Sequence, residues 1–168
     1  MSSVALSLRP MSESDYEDWL AICIPEYAAE KVAAGAWLEA EALQRAHDSL
    51  VSLLPQGLAT PNHWLFTLRG APDDGRIGFL WFGRFEHSAY LYDIYIAPAH
   101  RRRGYGSKAM ELLETAAAVR GFTSIALHVF GFNTGARDLY LKQGYTITDL
   151  TMRKELPPAA EHDRGRNW

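Results

Sequence analysis

Three consecutive arginines stand directly before a glycine pair in residues 101–106, which read Arg-Arg-Arg-Gly-Tyr-Gly. A strand is predicted over residues 89–96, Pro98 marks the turn after it, and a helix is predicted to begin at Gly104. Glycine permits a tight turn and a close backbone approach to a ligand. The N-terminus of a helix adds unpaired N–H donors and a positive partial charge. With the arginine charges, this arrangement predicts an anion site that suits a pyrophosphate.

Other interpretations of this loop agree less well with the sequence. An arginine run taken alone is usually a solvated surface patch, but the strand before it and the helix after it favour a binding loop. A dinucleotide-binding loop would need a third glycine and an acidic residue about 20 positions further on. The turn over residues 70–75 contains no lysine, which excludes a Walker phosphate loop there.

The composition is typical of one globular domain with its own core: of 168 residues, 48% are hydrophobic and 22% are charged. A net charge of -3 gives no reason to expect nucleic acid or an anionic membrane as a partner. The single cysteine, Cys23, excludes an internal disulfide and is interpreted as a small core residue. Because no signal-peptide pattern and no apolar run of about 18 residues occur, a cytoplasmic location is expected.

Hydrophobic periodicity and turn residues predict the remaining elements. Ser12 and Asp15 have the spacing of a capping box, so a helix is expected to begin there and to be kinked or ended by Pro25. Further helices are predicted over residues 26–34, 39–54, 104–120 and 134–140, and strands over residues 4–9, 63–69, 76–84, 89–96, 123–129 and 145–152. The early helices are expected to wall a substrate site. One domain is predicted over residues 1–156, followed by a flexible tail over residues 157–168.

A second motif lies downstream, where residues 133–145 read Asn-Thr-Gly-Ala-Arg-Asp-Leu-Tyr-Leu-Lys-Gln-Gly-Tyr. This segment resembles the Asn-x-x-Ala-x-x-Leu-Tyr-x-x-x-Gly-Phe segment of the GNAT superfamily of acyl-CoA N-acyltransferases. Residues 101–106 likewise resemble that family's (Arg/Gln)-x-x-Gly-x-(Gly/Ala) loop, and residues 94–98 resemble its preceding strand and Pro-containing turn. Residues 152–154 resemble a common end of the last strand. The resemblance is strong over residues 89–152 and topological before them.

The resemblance implies a mixed α/β fold with one central sheet of about six strands, flanked by helices. The strands predicted at residues 89–96 and 123–129 would splay apart, and acetyl-CoA would lie in the gap as co-substrate without a metal. Its pyrophosphate would bind the backbone of residues 102–106, its pantetheine arm would pair with residues 94–96, and Asn133 would hydrogen-bond the arm. The implied cofactor-binding residues are Ile94, Tyr95, Ile96, Arg101, Arg102, Arg103, Gly104, Tyr105, Gly106, Ser107, Asn133 and Tyr140.

Acyl transfer from a thioester needs a neutral amine, a polarised carbonyl and a protonated or stabilised thiolate. By resemblance, Tyr140 matches the tyrosine that protonates the thiolate, although it would also suit a packed aromatic position beside Leu139. A backbone N–H near Ile94 would polarise the carbonyl.

The general base is less determined. Many relatives carry a glutamate where this chain has Tyr92. Strand alternation turns the adjacent Asp93 to the other face, but a β-bulge would bring it toward the site. Asp93 is therefore the first candidate and His128 the second, because imidazole titrates near neutral pH. His128 suits a structural role equally well. Glu86, His87 or an ordered water are further alternatives.

The acceptor is expected to face the strand aromatics, with Tyr90 and Tyr92 as candidate substrate-binding residues and Trp64, Trp81 and Tyr95 as further lining or core residues. The sequence thus predicts an N-acetyltransferase that transfers an acetyl group to a small-molecule or peptide amine by direct attack in a ternary complex. A protein N-terminal or lysine acetyltransferase and a non-catalytic acyl-CoA sensor remain alternatives. A nucleic-acid module is disfavoured by the net charge, no membrane partner is expected, and a homodimer remains open.

Overall fold

The structure is a computed structural model that describes residues 5–71 and 73–157. Val4, where the first strand was predicted to begin, and residues 158–168 of the predicted tail lie outside the described residues. The strands are β1 (Leu6–Pro10), β2 (His63–Gly70), β3 (Gly75–Phe85), β4 (Ser88–Ile96) and β5 (Ile125–Leu127). The helices are α1 (Glu13–Ala33), α2 (Glu39–Leu53), α3 (Tyr105–Ala118) and α4 (Thr134–Lys142), with 3₁₀ turns at Gly57–Ala59 and Pro98–His100.

The strands form one mixed sheet in the order β1-β2-β3-β4-β5. Strands β1 to β4 pair antiparallel, whereas β4 and β5 pair parallel and are joined through α3. The predicted mixed α/β fold is therefore confirmed, with five strands instead of about six. No helix within residues 5–71 and 73–157 is long and apolar enough to cross a membrane.

Alternation along β3 divides the interior into two layers. Leu80 and Phe82 face a core that includes α3 and Tyr140 of α4. Phe79 and Trp81 face the other core, which α1 closes with Trp19. Of the candidate residues described below, Asp93 faces the α1-side core and Tyr140 lies in the α3-side core.

Helix α1 continues through Pro25 to Ala33, so the predicted end of the helix at this residue is wrong. The capping box of Ser12 and Asp15 is present as predicted. Proline lacks the N–H that would bond the carbonyl four residues earlier, which costs stability inside a helix. Packing on both sides of Pro25 outweighs that cost, since Trp19 is buried against the sheet and Ala28 against α2.

The strand predicted over residues 145–152 is absent, which corrects the expected strand count. Ile147, Leu150 and Met152 are exposed at 62%, 71% and 84% instead of pairing beside β5. Alternation alone does not make a strand, because the backbone groups also need a hydrogen-bonding partner. After this segment, the Arg153 guanidinium donates a 3.2 Å hydrogen bond to the carbonyl of Ala34, which caps the C-terminus of α1.

Candidate active site

Strands β4 and β5 separate after a short parallel pairing. The last paired residues are Leu91 and Leu127, whereas β4 continues to Ile96. A gap therefore opens beside residues 92–96, where the sequence predicts one. The N–H of Ala97 donates to Ile77 on β3, and neighbouring residues of a strand direct their backbone groups to opposite edges. The backbone groups of Ile96 consequently face the gap.

Arg101 occupies part of this backbone edge. Its Nε donates a 2.8 Å hydrogen bond to the carbonyl of Ile96, and its guanidinium lies 5.7 Å from the centre of the Tyr95 ring. This side chain therefore stabilises the turn after β4. It also occupies the Ile96 carbonyl, which was expected to pair with the pantetheine arm.

A β-bulge in β4 sets the direction of the acidic candidate. Opposite Trp81 lies Asp93, but opposite the next residue, Phe82, lies Leu91, so Tyr92 is the extra residue. As a result, Tyr92 and Asp93 both face α1: the Tyr92 ring stacks on Trp81, and Asp93 accepts a hydrogen bond from Trp19. The bulge that the sequence analysis invoked for Asp93 is present.

Asp93 has the environment of a proton acceptor. Burial raises the pKa of Asp93 to about 6, although hydrogen bonding from the Trp19 indole lowers it; the Glu26 carboxylate raises it further, and the Ile94 N–H lowers it. A carboxylate whose pKa lies near the working pH can both take up and release a proton. The ring centre of His63 lies 5.4 Å from that of Tyr92. Its Nδ1 accepts a 3.0 Å hydrogen bond from the Trp81 indole, so this nitrogen is not available as a second proton acceptor.

Tyr140 lies in helix α4 and is buried in the core that α3 closes. Asn133 begins this helix as its N-cap, where its Oδ1 accepts a 3.2 Å hydrogen bond from the N–H of Ala136. Tyr140 is 9% exposed. Burial raises the pKa of Tyr140 to about 12, with smaller contributions from the negative charges of Asp93 and Glu30. The phenol therefore keeps its proton at neutral pH and can donate it.

The arginine-glycine loop adopts a left-handed backbone at two positions. Arg102 has φ +61° and Gly104 has φ +84°, and α3 begins at the next residue. Such turns point successive N–H groups toward one concave surface, which binds anions. A positive φ is strained for arginine, and strain of this kind clusters at ligand sites. The loop over residues 101–104 is exposed, as an anion site requires.

In the first turn of α3, the backbone N–H groups are more available to a ligand than the side chains are. The ring of Tyr105 packs beside His100 and the core below the sheet, so its N–H is the part available to a ligand. A Cβ added at Gly106 would lie 3.2 Å from Cδ2 of Leu139. This glycine therefore lets α3 approach α4 closely, next to Tyr140.

Other candidates lie apart from this centre. His128 is exposed just beyond the end of β5, and its ring contacts Phe130 at 4.8 Å rather than Asp93 or Tyr140. Glu86 and His87 lie in the exposed turn before β4. Asp93 is at least five residues further along that strand, about 16 Å for an extended chain. Trp64 packs in the core against Phe82 and Phe122 instead of lining an acceptor site.

Helix α1 contributes acidic residues that the sequence analysis did not select. Trp19, Cys23, Glu26 and Glu30 recur at spacings of three and four, which places them on one helical face. The pKa of Glu30 is raised, mainly by burial and then by the negative charge of Asp93. This periodic placement of glutamates beside an apolar stripe was the signal available in the sequence.

Within residues 5–71 and 73–157, no group of three or more His, Cys, Asp or Glu side chains is arranged to hold a metal ion. Burial raises the pKa of the Cys23 thiol, with Asp93 and two glutamates adding to the effect. The thiol therefore stays protonated and behaves as the apolar residue that the sequence predicts.

Comparison with known proteins gives consistent matches. The family model described as the acetyltransferase (GNAT) family matches residues 17–145. The chain is 36% identical over 157 residues to an uncharacterized N-acetyltransferase, YycN, of Bacillus subtilis (strain 168), covering 91% of this chain and 100% of the relative. The crystal structure of YycN from Bacillus subtilis aligns with a TM-score of 0.86 at 35% identity, covering 91% of this chain and 99% of that one.

A more distant structure shares the fold alone. The spermidine/spermine N-acetyltransferase SpeG from Vibrio cholerae, solved in mutant forms, aligns with a TM-score of 0.60 at 20% identity. The alignment covers 86% of this chain and 81% of that one.

Proposed function

This chain belongs to the GNAT acetyltransferase family, and from that premise we propose that it transfers an acetyl group from acetyl-CoA to a primary amine by direct attack in a ternary complex. The observation that supports the proposal is that Asp93 lies on the part of β4 beyond its pairing with β5 and that its negative charge helps to raise the pKa of Tyr140. One residue has a pKa suited to accepting a proton near neutral pH, and the other retains a proton to donate.

The donor would bind along the gap. The family uses acetyl-CoA as co-substrate, and the left-handed backbone at Arg102 and Gly104 supports a pyrophosphate site on the N–H groups that begin α3. The arm would follow the β4 edge beside Ile94, and the Asn133 amide N–H₂ would meet it from α4. Asn133 can do this because its cap uses the side-chain oxygen and leaves the amide donors for the ligand.

The proton transfers would run between the two sides of the gap. Asp93 takes a proton from the acceptor ammonium, and the neutral nitrogen forms a bond to the thioester carbon. The carbon–sulfur bond then breaks, Tyr140 gives its proton to the departing thiolate, and the positively charged amide nitrogen loses its second proton to solvent. The N–H of Ile94, which has the same parity along β4 as Ile96, would donate to the carbonyl oxygen as charge develops there.

The acceptor would approach from the α1 side. Glu26 and Glu30 carry negative charge on the face of α1 that influences Asp93. The pKa of Tyr90 is raised mainly by burial and, to a smaller extent, by Tyr27 of the same helix. Carboxylates and aromatic faces both attract an ammonium group. We therefore expect the acceptor to arrive as a protonated amine that passes Tyr90 and Tyr92 before it reaches Asp93.

The decisive experiment combines donor binding with a broad acceptor panel. Calorimetry should show micromolar-range binding of acetyl-CoA, retained by the analogue without the 3′-phosphate. Free-thiol detection should then show turnover with at least one amine class, including small amines, amino acids, antibiotics and peptides. No heat and no thermal shift with any CoA would refute the donor assignment. Binding without turnover across the panel would favour an acyl-CoA sensor.

A further inference from the structure

A buried tryptophan makes direct contact with the proposed base. Trp19 has no exposed surface, and its indole Nε1 donates a hydrogen bond to Oδ2 of Asp93 over 2.7 Å. The ring lies edge-on to Trp81 at 5.5 Å, so its position is fixed by packing within the α1-side core. The two residues are 74 positions apart in the chain, which makes this bond a tertiary link between α1 and β4.

The link occurs at the β-bulge. Tyr92 is the extra residue there, so the regular ladder is interrupted directly before Asp93, which pairs with Trp81. A carboxylate on a bulge can rotate unless another group holds it. The indole N–H is a donor only, so it binds one carboxylate oxygen and leaves the second, Oδ1, to accept a proton.

We propose that Trp19 is the positioning residue of the catalytic base: its indole N–H holds Oδ2 of Asp93 so that Oδ1 is presented to the acceptor amine. This inference rests on the proposed acetyltransferase function. Trp19 touches no reacting atom and acts only through Asp93. The hydrogen bond also favours the charged carboxylate, because it is made to the ionised form.

Several titratable groups near Asp93 interact with its charge. On α1, the thiol of Cys23 and the carboxylates of Glu26 and Glu30 face Asp93. From α4, Tyr140 responds to the charge of Asp93. Of these groups, the carboxylates disfavour a charged Asp93, and the Trp19 bond opposes their effect.

The test is Trp19→Phe, which removes the N–H and keeps an aromatic ring. The acid limb of the kcat/KM profile against pH should move up by about one to two pH units, since a hydrogen bond to a charged group is lost. At pH 7, kcat should fall by about tenfold or more, while the KM for acetyl-CoA stays within about twofold.

Trp64→Phe is the control. Trp64 packs against Phe82 and Phe122 in the core on the other side of the sheet from Trp19. It should lose comparable packing without moving the acid limb. If both variants move the limb equally, or if neither does, the positioning role of Trp19 is refuted.

A second measurement does not depend on turnover. Carbon-13 NMR of the Asp93 carboxyl should show a higher pKa in Trp19→Phe than in the wild type, with thermal unfolding confirming that the variant is folded. An unchanged titration would overturn the proposal even if the amine acceptor were never found. Absence of wild-type turnover alongside a shifted titration would instead contradict the proposed function.

Discussion

The ring of Tyr92 stacks on Trp81, with the ring centres 4.4 Å apart and the planes inclined by 16°. Tyr92 occupies the extra position of the β-bulge, at the place where many relatives carry a glutamate. The stack makes this side chain part of the wall under α1. The next residue, Asp93, faces the same side and accepts a hydrogen bond from Trp19 at its Oδ2.

Tyr140→Phe tests the proton donor. The variant keeps the buried ring and loses the hydroxyl, so acetyl-CoA binding should change by less than about threefold while kcat falls by about a hundredfold or more. Calorimetry and free-thiol detection measure the two quantities. The neighbouring Tyr145→Phe removes a hydroxyl without an expected role and should keep near wild-type kcat. Equal kcat in the wild type and Tyr140→Phe would exclude Tyr140 as the acid.

Gly104→Val tests the phosphate loop. A β-branched residue is strained at φ +84°, and its side chain would also block close approach of a phosphate. The Kd for acetyl-CoA should rise at least about tenfold, as measured by calorimetry. Gly75→Val is the control, because a Cβ there meets nothing within 4 Å, and it should bind the donor as the wild type does.

Asp93→Asn tests how much the charged carboxylate of the proposed base lowers the stability of the folded protein. The pKa of Asp93 is raised from 3.8 to about 6 in the folded state, so the folded protein binds this proton more tightly than the unfolded chain. The stability that this provides is complete below about pH 4 and is lost as the pH rises through about 6. At pH 7, urea unfolding should show the variant to be more stable by up to about 3 kcal/mol.

The same comparison at pH 4 supplies the control. There the folded protein holds Asp93 neutral, so the difference between wild type and variant should nearly vanish. An Asp93→Asn variant that is less stable than wild type at pH 7 would contradict the raised pKa.

Pro25→Ala tests the uninterrupted course of α1. Pro25 is exposed within a helix that continues to Ala33, and alanine would restore the missing backbone hydrogen bond. The free energy of unfolding should rise by about 1–3 kcal/mol. The greater freedom of the unfolded chain without proline offsets a small part of this rise. Pro55→Ala, just after α2, should bring no such gain. Destabilisation by Pro25→Ala would mean that the proline has a packing role.

Glu30→Gln tests the approach of the acceptor. Removing the charge should raise the KM for the amine by about three- to tenfold and leave the KM for acetyl-CoA unchanged, because the donor is proposed to bind along the gap and not beside α1. Initial rates at several salt concentrations should also show a weaker salt dependence than in the wild type. Glu39→Gln, at the start of α2, is the matched control. An unchanged amine KM would place the acceptor route elsewhere.

The sequence predicted the features whose cause is local. Ser12 and Asp15 form the expected capping box, and Asn133 caps α4 as its spacing indicates. The strand, turn, basic loop and helix over residues 89–118 also follow in the predicted order, because periodicity and turn residues are encoded in adjacent positions.

Features that depend on distant partners were predicted less well. Pro25 lies inside α1 with the buried residues Trp19 and Ala28 on either side of it, and this packing is not visible in the local sequence. Residues 145–152 alternate like a strand but find no partner beside β5. The hydrogen bond from Trp19 to Asp93 depends on the course of α1 and on the register of β3 with β4. The sequence could therefore name Asp93 as a candidate base, but it could not identify Trp19 as the residue that binds it.

The close approach of Gly106 to Leu139 couples the two ends of the proposed donor site mechanically. Gly106 lies in the first turn of the helix that would hold the pyrophosphate, and Leu139 precedes the tyrosine that would protonate the sulfur. A side chain at position 106 would lie 3.2 Å from Leu139, so α3 or α4 would have to move to make room for it. A substitution at Gly106 would therefore affect the Tyr140 end of the proposed site as well as the phosphate end.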